Sequence, residues 1–284
     1  MYLWRRLAAP AWWRAHEAAL RSQAGNRLAI VERPPRLRLN LEVVCRRRFA
    51  AQPLVRRFGA SVEKIPKDWL HRFSQAQKSQ RLRVGRRLVI TTVGETLASR
   101  WSPHQGASHL VIPAGAAFGT GEHVTTAMSL RLLEEITREM ERGWSMADLG
   151  TGSGILALAA RRLGAKRVIA IDNDPWAIST AKGNARANNI EKVTFRVADA
   201  RRWRPPGKIE VIVANLFSEL LVETLPMIRK YAAPSSRLIL SGILRRQEAE
   251  VILALKNNEF RVKEVRWRGK WIAILASSYG RRPR

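Results

Sequence analysis

Apolar positions along the chain fall into two regimes. From Gly143 onward, short β-branched runs alternate with alanine- and leucine-rich segments of helical period. Strands are predicted near 144–149, 166–171, 193–198, 209–214, 236–241, 260–267 and 270–276, and helices near 155–163, 175–188, 216–231 and 245–256. Such alternation implies a mostly parallel sheet of seven strands covered on both faces. Only Arg268-Gly269-Lys270 separates the last two strands, so they must form an antiparallel hairpin.

The pattern before Gly143 is less regular. Residues 1–23 carry Trp4, Trp12 and Trp13 among alanines and read as a helix, while Leu37 to Val44 alternates in the manner of a half-buried strand. Ala50 to Phe58 predicts a short helix and Ser61 to Ile65 a strand, giving a small α+β domain over residues 1–65. Residues 66–105 read as a connector, in which Pro66 opens a helix through Gln77 and Arg87 to Thr92 forms a strand. The α/β domain then occupies 106–278, and 279–284 is a basic tail.

The strand at Trp144–Leu149 passes into the helix at Ile155 through Asp148-Leu149-Gly150-Thr151-Gly152-Ser153-Gly154. Glycine there permits a tight turn and removes the Cβ atoms that would hold a ligand off the backbone. The helix start leaves N–H groups aimed at that ligand. The dinucleotide fingerprint needs a third glycine where Ile155 stands, and no Gly-Lys-Ser/Thr follows for a P-loop, so neither usual pyrophosphate cradle is present. The second strand of the unit ends at Asp172, 22 residues after Gly150, about the interval at which such units deliver a carboxylate to a ribose diol. The competing readings are a turn shaped by packing alone, and Asp172 and Asp174 as caps of the helix opened by Pro175.

Composition narrows the class. No run of eighteen apolar residues exists, so a membrane span is not expected. Cys45 is the single cysteine, which leaves no internal disulfide framework and no multi-cysteine zinc site, and no metal is expected. The first thirty residues hold no long apolar signal segment, and a cytoplasmic monomer is the expectation. The formal net charge is +28, and residues 1–100 hold 22 Lys and Arg against 6 Asp and Glu. Arg46-Arg47-Arg48, Arg56-Arg57 and Arg86-Arg87 are the local peaks. Such a field attracts phosphate backbones without reading sequence, which admits ribosomal RNA as a contact, although a merely solvated surface has the same composition.

The loop from Pro113 to Thr126 carries Gly115, Phe118, Gly119, Gly121, His123 and Thr125 before the next helix, which is predicted to run through Arg142. Thr125 or Thr126 would cap that helix, and Phe118 would stack on or cover a ligand. The D-x-G-x-G-x-G turn resembles the first motif of class I methyltransferases. Together with the P-x-G-x-A-F-G-T-G-x-H-x-T-T loop, Asp172-x-Asp174-Pro175, Ala214-Asn215-Leu216 and Ser241-Gly242-Ile243-Leu244 followed by Gln247, it is similar to ribosomal protein L-eleven methyltransferases, the PrmA family. The resemblance covers roughly residues 66–276.

What it implies is a class I, Rossmann-like methyltransferase domain behind a small substrate-recognition domain, using S-adenosylmethionine to methylate amino groups, chiefly lysines, of a ribosomal protein. By the same resemblance Thr126, Gly150, Asp172 and Asn215 contact the cofactor; Gly152 in the same turn and Phe118 over the ligand are cofactor-binding candidates beside them. Asn215 sits at the methyl-transfer centre, and Asp199 is an adenine partner unless it merely caps a helix. The chain departs from the family at Glu122, Val124 and Phe217-Ser218, and residues 1–65 are far more basic than expected. Two other readings stand beside this one. An RNA methyltransferase is favoured by charge, but Asn215-Leu216-Phe217-Ser218 is not the Asn-Pro-Pro-aromatic of enzymes that methylate base nitrogens. A nucleic-acid-binding protein keeping the fold without catalysis would show degraded cofactor motifs.

Overall fold

The computed structural model describes residues 2–24, 28–32, 39–45, 47–64, 81–92, 107–113 and 123–279. The chain divides into two compact units, Met1–Phe73 and Ser74–Arg284.

In the first unit, β1 (Tyr2–Ala8), α1 (Pro10–Ala24), β2 (Leu28–Glu32), β3 (Leu39–Cys45), α2 (Gln52–Phe58) and β4 (Ser61–Lys64) build a sheet of order β2-β3-β1-β4 with two helices. Its first strand corrects the helix expected over residues 1–23. Tyr2 through Ala8 pair antiparallel with Cys45 through Leu39, and the alternation puts Trp4 and Ala8 in the core. The tryptophans and alanines suggested one helical stripe, but Pro10 divides them. It cannot donate to a sheet ladder and is pre-set for a first helical turn, so the helix begins there. Trp4 is fully buried among Leu20, Leu41, Val43, Leu54 and Phe58, and its Nε1 donates to the Gly59 carbonyl at 2.8 Å.

The second unit opens with β5 (Arg81–Val84), β6 (Leu88–Thr91) and β7 (Ser108–Val111), of which only β6 was expected. Four-residue strands leave little periodicity to read. β5 and β6 are antiparallel, β6 and β7 parallel. Helix α3 (Val124–Ile136) holds this small sheet through Glu134, whose buried carboxylate accepts from Arg87 Nε at 3.2 Å and Arg138 Nη2 at 2.6 Å. The helix stops at Ile136 rather than reaching Arg142, because Thr137 Oγ1 and Arg87 take up its last carbonyls.

The main sheet contains β8 (Ser145–Leu149), β9 (Arg167–Asp172), β10 (Val193–Val197), β11 (Ile209–Asn215), β12 (Ala232–Leu244), β13 (Phe260–Arg268) and β14 (Trp271–Ser278). Their order is β10-β9-β8-β11-β12-β14-β13, and only β14 runs against the rest. This is the expected mostly parallel seven-stranded sheet with its terminal hairpin. Successive residues serve opposite faces. Met146, Val168, Val211 and Ile239 pack with α3 and α4 (Ile155–Arg162), whereas Leu149, Ile169, Ile212 and Leu240 pack with α6 (Ser218–Tyr231) and α7 (Glu248–Asn257). Helix α5 (Pro175–Ala187) follows β9. No described helix is long and apolar enough to cross a membrane.

Candidate functional site

Parallel sheets open a crevice at the carboxyl ends of their strands, where the strand order reverses. Here β8 leads outward to β9 and β10, while its other neighbour is β11, so the reversal lies between β8 and β11. Leu149 ends one of these strands and Asn215 the other.

The turn after β8 is folded by its glycines. Gly150 has φ +74°, and its N–H donates to the Ile171 carbonyl at 2.9 Å. A Cβ on Gly150 would lie 2.3 Å from Leu216 Cδ2, so glycine lets the Leu216 side chain rest against the turn without shifting. The Gly152 N–H donates to Asp172 Oδ2 at 3.0 Å, and the Asp174 N–H donates to Asp172 Oδ1 at 3.0 Å. The Asp172 carboxylate therefore ties the ends of β8 and β9 together while keeping a lone-pair direction on each oxygen for further donors. Asp174, not Asp172, caps α5, accepting from the Trp176 N–H at 2.8 Å.

On the other side, Asn215 Nδ2 donates to Thr126 Oγ1 at 3.3 Å, so α3 and β11 meet through these side chains. Thr126 is buried inside α3 and does not cap it, and neither does Thr125. His123 is the cap. Its Nδ1 accepts from the Thr125 N–H at 3.4 Å, and its ring meets Trp271 edge-on at 5.2 Å. Burial, then Lys270, holds the His123 pKa below its ordinary value, in keeping with a neutral ring that accepts at Nδ1.

The Ala198 N–H donates to the Asp172 carbonyl at 2.9 Å, which brings Asp199 beside the end of β9. Asp199 opens no helix. Its carboxylate grips Arg201, with Oδ2 2.8 Å from Nη2, and that pairing holds its pKa down. Any adenine contact would have to share it with this arginine. Gly150, Gly152, Asp172, Asn215 and Thr126 are thus linked around one crevice, with Asp199 at its edge. Phe118 and the three glycines of its loop lie outside the described residues.

Two residues outside the expected set belong to this cluster. Gly242 sits against it at φ +84°, where a Cβ would meet the Leu216 carbonyl oxygen at 2.4 Å and Asn215 Oδ1 at 3.1 Å. The Ser241-Gly242 pair at the end of the strand expected over 236–241 was the available signal. Asp148, the acid of the glycine motif, is fully buried; its Oδ2 accepts from Thr151 Oγ1 at 2.6 Å and from the Ala157 N–H at 3.2 Å, while Oδ1 has no partner among the described residues. Burial pushes its pKa up to about 7 from 3.8, with those two hydrogen bonds opposing and Asp172 adding to the rise. Between those two pH values the folded chain holds a proton that the unfolded chain has lost, so stability declines as pH rises through the window. Asp148→Asn, uncharged throughout, is expected to flatten that decline, which amounts to at most about 1.4 kcal/mol per pH unit. Melting curves of both proteins from acid to neutral pH check it; parallel curves would mean that Asp148 does not titrate there. Among the described residues no group of His, Cys, Asp and Glu could hold a metal ion.

Comparison with known proteins adds lineage to this geometry. The family model described as ribosomal protein L11 methyltransferase (PrmA) matches residues 44–278. A protein named ribosomal protein L11 methyltransferase from Heliobacterium modesticaldum is 33% identical over 213 residues, 75% of this chain and 65% of its own length. One of the same name from Pelobacter propionicus is 40% identical over 197 residues, covering 68% of this chain and 62% of its own. The crystal structure of a ribosomal protein L11 methylase from Lactobacillus delbrueckii subsp. bulgaricus superposes with a TM-score of 0.62 at 30% identity, over 70% of this chain and 99% of that one. The chain spans 65% or less of the length of these two relatives.

Proposed function

The chain belongs to the ribosomal protein L11 methyltransferase (PrmA) family, and on that premise we propose that it transfers methyl groups from S-adenosylmethionine to amino groups, chiefly lysines, of a ribosomal protein of the L11 type. The observation that carries the reading is the crevice itself. Bare backbone at Gly150, the Asp172 carboxylate and the Asn215–Thr126 pair converge where the strand order reverses. The residues fit the cofactor: Asp172 keeps acceptor capacity on both carboxylate oxygens beyond its two main-chain bonds, and the buried Asp148 carries an unpartnered oxygen. Asp172 would accept from the ribose hydroxyls and Gly150 and Gly152 would line its path, while Thr126 and Asn215 would face the reacting end.

S-adenosylmethionine, when bound, supplies an electrophilic methyl group on a sulfonium. The protein's share is alignment and exclusion of water, because the displacement is in-line. Its acceptor must be a neutral amine, and free lysine, with a pKa of about 10.4, is almost wholly charged at neutral pH. Desolvation in the crevice favours the neutral form. Asn215 offers an amide oxygen to accept an amine hydrogen and so point the nitrogen lone pair. Phe217, two residues on and 74% exposed, offers an apolar wall for the lysine stem. Phe217→Ala is expected to raise KM for the protein substrate about tenfold, the scale of one aromatic contact, while cofactor affinity stays level. An unchanged KM in initial-rate measurements would take Phe217 out of the acceptor path.

The N-terminal unit, with exposed Arg47, Arg48, Arg56 and Arg57, would meet the substrate protein and adjacent ribosomal RNA, which offsets the repulsion between two basic proteins. The test is methyl transfer from labelled cofactor to ribosomal protein and ribosomal RNA together, followed by protease or nuclease. Label that survives nuclease and is lost to protease is the expected result. Label lost to nuclease would instead support an RNA methyltransferase.

A further inference from the structure

The terminal hairpin forms a second concave site at the other edge of the main sheet. The crevice lies at the carboxyl ends of the parallel strands, whereas Ser235 and Arg237 lie in the first half of β12, Arg261 and Lys263 near the start of β13, and Ser277 near the end of the antiparallel β14. The ladder places Arg237, Ser277 and Arg261 in one row across three strands. Helix α3 packs on β12 and β14 nearer the crevice, with Ile239 and Leu275 in its core cluster. Beyond Leu275 the row opens into a groove of about 570 Å³, lined by Ser235, Arg237, Arg261, Lys263, Ser277 and Tyr279.

Charge says what this groove takes. No carboxylate lines it, and none of its three cations makes an ion pair among the described residues. The acids that flank Arg261 and Lys263 in sequence are committed elsewhere: Glu259 to Arg229 at 2.6 Å and Glu264 to Arg266 at 2.6 Å. A groove kept positive in this way suits phosphates. Tyr279, 49% exposed, stands at its end, with the Arg261 guanidinium 5.7 Å from the ring centroid. An aromatic ring beside a basic track gives an unpaired base a stacking surface, which neither free phosphate nor an acidic peptide needs. Arg281, Arg282 and Arg284 follow within five residues of Tyr279. We propose that this groove binds the phosphodiester backbone of single-stranded RNA, with Tyr279 stacking on a base.

The experiment uses the full chain and a short fluorescein-labelled oligouridylate, followed by anisotropy across a salt series. Replacing Arg237, Arg261 and Lys263 together with Gln is expected to weaken binding at least tenfold at low salt, and to lower the slope of log affinity against log salt by about 2, each lost phosphate contact removing about 0.7. Tyr279→Ala is expected to weaken binding about tenfold with the slope unchanged, because stacking releases no counterions. Both variants should bind S-adenosylhomocysteine as the parent does, which reports an intact fold and separates this groove from the methyl-transfer crevice. A triple variant that binds the parent's cofactor product normally and keeps the RNA affinity and slope would overturn the proposal. So would equal competition from a polyglutamate of matching charge, since the groove would then be reading charge without nucleotides.

Discussion

Asp172→Ala is expected to weaken cofactor binding by roughly 1–3 kcal/mol, about 5- to 150-fold in Kd, the scale of losing hydrogen bonds to a charged group. The expectation has two physical sources. A carboxylate at the end of β9 can accept from both hydroxyls of a ribose, which no alanine replaces. The same carboxylate accepts from the Gly152 and Asp174 N–H groups, each at 3.0 Å, so its removal also releases the glycine turn and the start of α5. Asp172→Asn is expected to fall between the wild type and Asp172→Ala. Its single carbonyl oxygen can keep one of the main-chain bonds but cannot accept at both oxygens. Calorimetry with S-adenosylhomocysteine and with a ribose-lacking analogue reads the difference. If the wild type favours the ribose-bearing ligand no more than Asp172→Ala does, the ribose assignment is wrong and Asp172 only holds loops.

What could be read in the sequence was what physical chemistry writes locally. The parallel sheet was legible because β9 and β11 are short β-branched runs and β8 a short apolar one, with helices between them, and the hairpin because three residues cannot cross over to a parallel strand. The arrival of Asp172 beside the glycine turn, where the Gly152 N–H meets it, was legible because a strand-turn-helix fixes how far along the chain the second carboxylate must come. Other features depend on partners remote in sequence. Tyr2–Ala8 is a strand because Leu39–Cys45 lies beside it, and nothing within residues 1–23 announces that register. His123 took the cap from the threonines because its ring is wedged against Trp271, far along the chain. Asp199 looked like an available acceptor, yet Arg201 two residues on already occupies it. Gly242 stood in a quoted motif without a role, since its reason is the backbone of Leu216, brought close only by the β11–β12 pairing.

That closeness makes Gly242→Ala the more damaging glycine substitution, with an expected loss of about a hundredfold in kcat for methyl transfer. The residue has φ +84°, and an added Cβ would stand 2.4 Å from the Leu216 carbonyl oxygen and 3.0 Å from its carbonyl carbon. The obstruction is main chain, so no rotamer change relieves it; one strand end must move by something near an ångström. The Leu216 N–H donates to the Ser241 carbonyl at 3.1 Å, which pins the two segments together, and Asn215 Nδ2 reaches Thr126 Oγ1 at 3.3 Å, with little slack. A shift of about 1 Å at an aligned reacting pair is enough for losses on the order of a hundredfold. Gly269→Ala is the control. It also replaces a glycine at positive φ, +59°, but nothing lies within 4 Å of the new Cβ, so it carries the backbone cost of about 1 kcal/mol without the collision. Melting temperature and single-turnover rate should therefore diverge: both variants lose some stability, and only Gly242→Ala loses the rate. Equal rates in the two would place Asn215 outside the transfer step, because the collision at Gly242 acts on the strand end that carries it.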